Sequence, residues 1–189
     1  MRRVNGFAAV LICVGLTRAA LAAPAFGEWG SAFPEGTKAV EVNAAFIQPI
    51  RFSDDEFYGG NLSFHYYFAD EVSVGAELEG YYVDQVRDDT VLGGASVVLR
   101  WHFLAEDRFT LFVDGAIGVS YAGMDVPETG THFNYTPKGG GGATYELRDN
   151  VHLLGGVRFF HLSNGNLHGR DENPSQDGVQ YFVGVMWTF

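Results

Sequence analysis

The chain runs out through Val179-Gln180-Tyr181-Phe182-Val183-Gly184-Val185-Met186-Trp187-Thr188-Phe189, and the alternation in this stretch decides the fold. Tyr181, Val183, Val185, Trp187 and Phe189 fall at period two and share one face of an extended strand. That face suits lipid, whereas a soluble domain would rarely leave an aromatic C-terminal strand unprotected. A strand of this kind ending on an aromatic carboxylate predicts a bacterial outer-membrane β-barrel. It also predicts that the barrel-assembly machinery engages this strand through Phe189.

The opposite end predicts the same compartment. Met1-Arg2-Arg3 precedes an apolar run from Phe7 to Leu16, followed by Ala19-Ala20-Leu21-Ala22-Ala23. This is the pattern of a cleavable signal peptide spanning residues 1–22, with Ala20 and Ala22 supplying the small residues of the cleavage site. The run is too short to be a spanning helix. Cys13 is the sole cysteine and lies inside the removed segment, so the mature chain has no thiol or disulfide chemistry. Arg2, Arg3 and Arg18 leave with the signal and no acidic residue does, which moves the formal net charge from -11 to -14. Such an acidic chain is a poor partner for nucleic acid.

After a lead-in segment, residues 23–38, hydrophobicity is distributed by alternation across residues 39–189. Segments at 39–48, 59–69, 72–83, 91–104, 108–121, 132–147, 151–163 and 179–189 are near the ~10 residues of a tilted membrane strand. In the third, Val74, Ala76, Leu78 and Tyr82 alternate with Ser73, Glu77, Glu79 and Tyr81. In the fourth, Val97, Leu99, Trp101 and Phe103 alternate with Ser96, Arg100 and His102, and Leu111 to Tyr121 repeats the pattern around Asp114. A sandwich would turn the apolar face inward and a membrane barrel would turn it to lipid. The signal peptide, Phe189 and the aromatic clusters near strand ends (Tyr66-Tyr67-Phe68, Trp101, Trp187) favour the barrel. The expected fold is an all-β, eight-stranded antiparallel transmembrane barrel with a packed polar interior. Glu41, Glu77, Glu79, Arg100, Asp114, Lys138, Glu146 and Arg158 are the expected ionic core, which argues against a porin.

Connections alternate in length. Tight turns are expected at Ala69-Asp70-Glu71, Ala105-Glu106-Asp107 and Arg148-Asp149-Asn150, and longer loops near 49–58, 84–90, 122–131 and 164–178. Short turns belong in the periplasm and long loops outside, which places the end of the seventh strand at the outer rim. Asp54-Asp55-Glu56 and Asp171-Glu172 read as solvated loop charges. The run Gly139-Gly140-Gly141-Gly142 lacks the strand, helix and lysine context of a phosphate loop, and predicts close backbone packing or a bend.

Candidate chemistry lies in Arg158-Phe159-Phe160-His161-Leu162-Ser163-Asn164. Period two puts His161 and Ser163 on one face, about two strand rises of ~3.3 Å apart, so the imidazole can lean toward the hydroxyl and take its proton. With Arg158 in the lumen, both fall on the lipid-facing side near the outer rim, behind Val157 and Phe159. A purely structural role there would call for residues more compatible with lipid.

The segment His161-Leu162-Ser163-Asn164-Gly165-Asn166-Leu167, with Asp177-Gly178-Val179-Gln180 beyond it, resembles the outer-membrane lipid A 3-O-deacylases of the PagL type. The resemblance implies a barrel whose serine and histidine belong to a triad that removes an ester-linked acyl chain from lipopolysaccharide in the outer leaflet. Ser163 would then be nucleophile and His161 general base, with Asn164 and Gly165 at the turn or oxyanion site. The departure is in the third member, because Gln180 stands where the pattern places an acid. Gln180 would need a bulge to reach the lipid-facing side, while Asp177 has the right parity. The sequence leaves Asp177 and Gln180 both open. No cofactor is implied, and His161 and His168 lack paired ligands at metal-binding spacing. The expected partners are lipid A and the surrounding outer-membrane lipids. Two other readings compete: a non-catalytic barrel with a structural or surface-interaction role, and a palmitoyl transferase. The latter is disfavoured because Pro24 to Lys38, with Gly27, Gly30, Pro34 and Gly36, is a poor former of the N-terminal amphipathic helix it would need.

Overall fold

The computed structural model describes residues 31–167, 169 and 173–189. The expected signal peptide, the first part of the lead-in, and His168, Asp171 and Glu172 lie outside the described residues. The strands are β1 (Lys38–Arg51), β2 (Glu56–Ala69), β3 (Val72–Asp84), β4 (Thr90–Glu106), β5 (Phe109–Val126), β6 (Thr131–Tyr135), β7 (Lys138–Arg148), β8 (Val151–Leu162) and β9 (Gln176–Thr188).

β6 and β7 form one barrel strand, interrupted where Pro137 has no N–H to give to the ladder. Pairing bridges the gap: Thr136 N–H donates to Gly118 O at 2.9 Å and Pro137 O accepts from His161 N–H at 3.0 Å. Eight antiparallel barrel strands result, each paired with its neighbours in sequence, and β1 pairs with β9 to close the sheet. Closure leaves no edge strand to aggregate.

Alternation holds around the wall. Val97, Leu99, Trp101 and Phe103 are exposed on the outside, while Arg100 and His102 are buried within. The lumen carries a continuous ionic network. Arg100 Nη1 meets Glu41 Oε2 at 2.8 Å and Arg100 Nη2 meets Asp114 Oδ2 at 3.0 Å. Arg158 meets Asp114 Oδ2 at 2.7 Å and Glu77 Oε2 at 3.1 Å. Lys138 bonds Glu77 at 2.7 Å and also Glu79. The glycine run explains how these strands meet. Gly140 sits in register between Asp114 of β5 and Arg158 of β8, and a Cβ there would lie 2.1 Å from Val157 O. The missing side chain lets the carboxylate and guanidinium join across β7.

Glu146, expected in this network, is instead half-buried near the periplasmic turn opposite His152 and takes no part in the ion pairs. Its register is too close to the Arg148 end of β7 to reach the central arginines. The periplasmic mouth is filled by the lead-in. Phe33 stacks on Tyr67 at 5.0 Å and is held by Glu71 Oε1, which accepts from Ser31 Oγ at 2.8 Å and Ala32 N–H at 2.7 Å. The outer connections are shorter than their polarity predicts: β1 continues to Arg51 and β2 starts at Glu56, so the first is 52–55 and not 49–58. Strand pairing continues beyond the apolar belt, where side chains turn polar but the backbone ladder does not stop.

Candidate active site

β8 and β9 run antiparallel in unbroken register from Val151–Trp187 to Leu162–Gln176, and that register sets the site. It places Asp177 directly across from His161, so both side chains leave the same face of the sheet. His161 Nδ1–H donates to Asp177 Oδ1 at 2.7 Å. That bond leaves Nε2 as the acceptor, and Ser163 Oγ–H donates to it at 3.1 Å. The side chains are 32% exposed at His161 and 13% at Asp177, so the imidazole is reachable while its carboxylate partner is shielded.

Ser163 lies just past β8 yet stays in the sheet. It forms an isolated bridge with Tyr135, exchanging Ser163 N–H to Tyr135 O at 3.2 Å and Tyr135 N–H to Ser163 O at 2.8 Å. The hydroxyl is therefore carried on fixed backbone. The chain then turns sharply: Gly165 has φ +65° and Asn166 φ +64°. A Cβ on Gly165 would press the Tyr135 ring at 3.0 Å, so both conformation and space call for glycine. Three asparagines fasten the turn. Asn164 N–H donates to Asn173 Oδ1 at 2.9 Å, Asn166 N–H donates to Asn164 Oδ1 at 3.0 Å, and Asn173 Nδ2 donates to Asn166 Oδ1 at 3.0 Å.

Gln180 is elsewhere. It pairs with Arg158, faces the lumen fully buried, and donates through Nε2 to Tyr81 Oη at 2.7 Å. No bulge lies between β8 and β9 to rotate it outward, so the geometry brings Asp177 and not Gln180 to His161. Asn164 and Gly165 are at the turn beside Ser163, but the Asn164 amide is already committed to Asn173. Tyr135 and Asn173 escaped the sequence reading. The Asn173-Pro174 pair is a turn signal that could have marked one of them, but nothing local marks Tyr135. Among the described residues no group of histidines, cysteines and carboxylates could hold a metal ion.

Around the site the outer wall is apolar: Val157 and Phe159 are exposed below it on β8, Tyr135 on β6 is level with Ser163, and Phe133 lies beyond, its ring in edge contact with that of Tyr135 at 5.5 Å. A hydroxyl, an imidazole and a carboxylate are thus hydrogen-bonded in series at the lip of a greasy surface. The arrangement has the geometry needed to deprotonate a nucleophilic oxygen beside membrane lipid.

Fold and location together define a small closed barrel of the bacterial outer membrane. Within that class the chain belongs to the lipid A 3-O-deacylase (PagL) family, whose family model matches residues 59–186. Among solved structures, Neisserial surface protein A is similar with a TM-score of 0.63 and 16% identity, covering 82% of this chain and 100% of that one. The outer membrane protein OprG from Pseudomonas aeruginosa follows the same course with a TM-score of 0.56 and 13% identity, covering 83% of this chain and 97% of that one. The attachment invasion locus protein Ail of Yersinia pestis, in complex with the heparin analogue sucrose octasulfate, gives a TM-score of 0.51 and 14% identity over 82% of this chain and 99% of that one. At these identities the likeness is one of fold. Comparison with curated protein sequences returns no match.

Proposed function

We propose that this barrel is a serine esterase that hydrolyses an ester-linked acyl chain of lipid A in the outer leaflet. The carrying observation is the series Ser163 Oγ, His161 Nε2, His161 Nδ1 and Asp177 Oδ1, bonded at 3.1 and 2.7 Å on the lipid-facing side. Family membership supports lipid A as the substrate class. Ser163 attacks the ester carbonyl as His161 takes its proton, and Asp177 holds the ring in the required tautomer and stabilises the imidazolium. His161 then returns the proton to the departing sugar oxygen, and water cleaves the acyl-serine by the same relay.

The oxyanion needs N–H donors near Ser163 Oγ. The backbone amides of Ser163 and Asn164 are committed to Tyr135 and Asn173, which leaves the next backbone amide, Gly165 N–H, as the donor we propose for this role. The acyl chain lies along Val157, Phe159 and Tyr135, so the substrate need not leave the membrane to react.

Mass spectrometry of lipid A from an outer membrane containing the protein tests this. Loss of one hydroxyacyl group with the wild type, absent with Ser163→Ala, is the expected result. An unchanged lipid A spectrum with a folded wild-type barrel would leave a surface-interaction protein, the role its fold equally allows.

A further inference from the structure

The triad does not account for Arg51. In the β1–β9 ladder Arg51 pairs with Asp177, which in turn pairs with His161 on β8, so the three residues form one row across adjacent strands. A bulge creates this row. The register steps from Pro49–Gly178 to Arg51–Asp177 and skips Ile50. Without the extra residue, Ile50 would face Asp177 and Arg51 would turn to the other side of the sheet. The next residue is held under strain: Phe52 has φ +76°, the left-handed region that a bulky side chain seldom occupies.

The guanidinium remains open. Arg51 Nε is 4.0 Å from Asp177 Oδ2, the oxygen His161 does not use, and its side chain is 69% exposed. An exposed pair at that separation is weak and leaves the donor edge available. The Phe52 ring supports the other side, 4.4 Å from Arg51 Cζ, and Ile50 and Phe52 are both solvent-facing apolar residues. The neighbouring rim cation differs. Arg87 is tied to Glu128, with Nε 3.4 Å from Oε2 and its own backbone N–H on the same carboxylate. Arg51 is thus a weakly paired, exposed cation with apolar flanks, set by a bulge beside the triad of a strongly acidic chain.

Building on the esterase reading above, we infer that Arg51 recognises the anionic headgroup of the substrate. Its guanidinium takes a phosphate on the acylated sugar, Ile50 and Phe52 sit at the level where sugar meets acyl chain, and the ester is thereby held over Ser163. Arginine suits this because its planar fork bonds two phosphate oxygens at once.

The test measures binding of phosphorylated and of enzymatically dephosphorylated lipid A to the folded Ser163→Ala barrel in detergent, with and without Arg51→Ala or Arg51→Lys added. Arg51→Ala is expected to weaken phosphorylated lipid A by about tenfold, the order of one charged hydrogen-bonded contact, and to leave the dephosphorylated lipid unaffected. Arg51→Lys should fall between. In turnover by the Ser163 enzyme, the loss should fall on KM and not on kcat. Equal losses on both lipids, or no loss on either, would overturn the assignment. A fall in kcat alone would make Arg51 a positioning residue for Asp177 instead. If the wild type releases no acyl chain but phosphate-dependent binding through Arg51 persists, the esterase reading fails and the anion site stands.

Discussion

β8 carries two charged constellations on its two faces. Arg158 points inward, where Asp114 and Glu77 surround it, and it is 1% exposed. His161, three positions on, points outward to Asp177 and Ser163 and is open to the membrane surface. Both are hydrogen-bonded charge clusters, and β9 faces each of them, with Gln180 opposite Arg158 and Asp177 opposite His161. What separates them is parity and access. The inner cluster has its donors and acceptors turned on one another in a closed space, so it can fill and fix the barrel but has no way to meet a substrate. The outer cluster has a partly exposed imidazole and a hydroxyl at a lipid boundary. A buried ion network specifies geometry, whereas a half-exposed one can do chemistry.

The sharpest way to break this contrast is to alter the outer face alone. Ser163→Ala should abolish deacylation, by a factor on the order of 10⁶ in kcat if the residues act as a unit, with the barrel's unfolding midpoint unmoved. Asp177→Asn should keep the fold and lower kcat on the order of 10⁴-fold, since an amide favours the wrong tautomer and cannot stabilise the imidazolium. Both are read by release of hydroxyacid from purified lipid A.

The inner face should respond in the opposite sense. Arg158→Ala leaves Asp114 and Glu77 short of a cation in the lumen and should cost about 3–5 kcal/mol, measured by urea unfolding in lipid vesicles. Whatever fraction stays folded should retain the outer triad. The smallest effect is expected at Gln180→Ala, which removes one hydrogen bond to Tyr81, costs about 1 kcal/mol and leaves kcat within a few-fold. Gln180→Glu should produce no gain in activity. A gain there would return Gln180 to the catalytic set and undo the division between the faces.

Period two was enough to read the strands and the shared face of His161 and Ser163, because side-chain direction in a strand is fixed by local geometry, while the terminal Phe189, the aromatic clusters and the signal-like N-terminus were needed to choose a barrel over a sandwich. The same rule put Arg100, Asp114 and Arg158 together inside. By parity it favoured Asp177, but it left Gln180 open because a bulge would have turned Gln180 outward. That choice depends on the offset between β8 and β9, which are joined by a long polar connection whose length leaves the register undetermined until the strands pair. Arg51 was hidden for a related reason. It is distant in sequence, it sat in a segment that reads as loop, and its direction depends on a bulge at Ile50 that has no local signature. Glu146 had the right residue type for the ionic core, but it lies too near the periplasmic end of β7 to reach it.

Covalent trapping of the outer-face hydroxyl separates a working relay from an inert hydrogen-bonded cluster. The folded barrel in detergent is treated with a long-chain alkyl fluorophosphonate, which phosphonylates serines activated by a base, and the adduct is mapped by peptide mass spectrometry. A single adduct on Ser163 is expected, lost in His161→Ala, strongly slowed in Asp177→Asn and undiminished in Gln180→Ala. A folded wild-type barrel that stays unlabelled at Ser163, or one labelled equally fast with and without Asp177, would rule out the Ser163–His161–Asp177 relay.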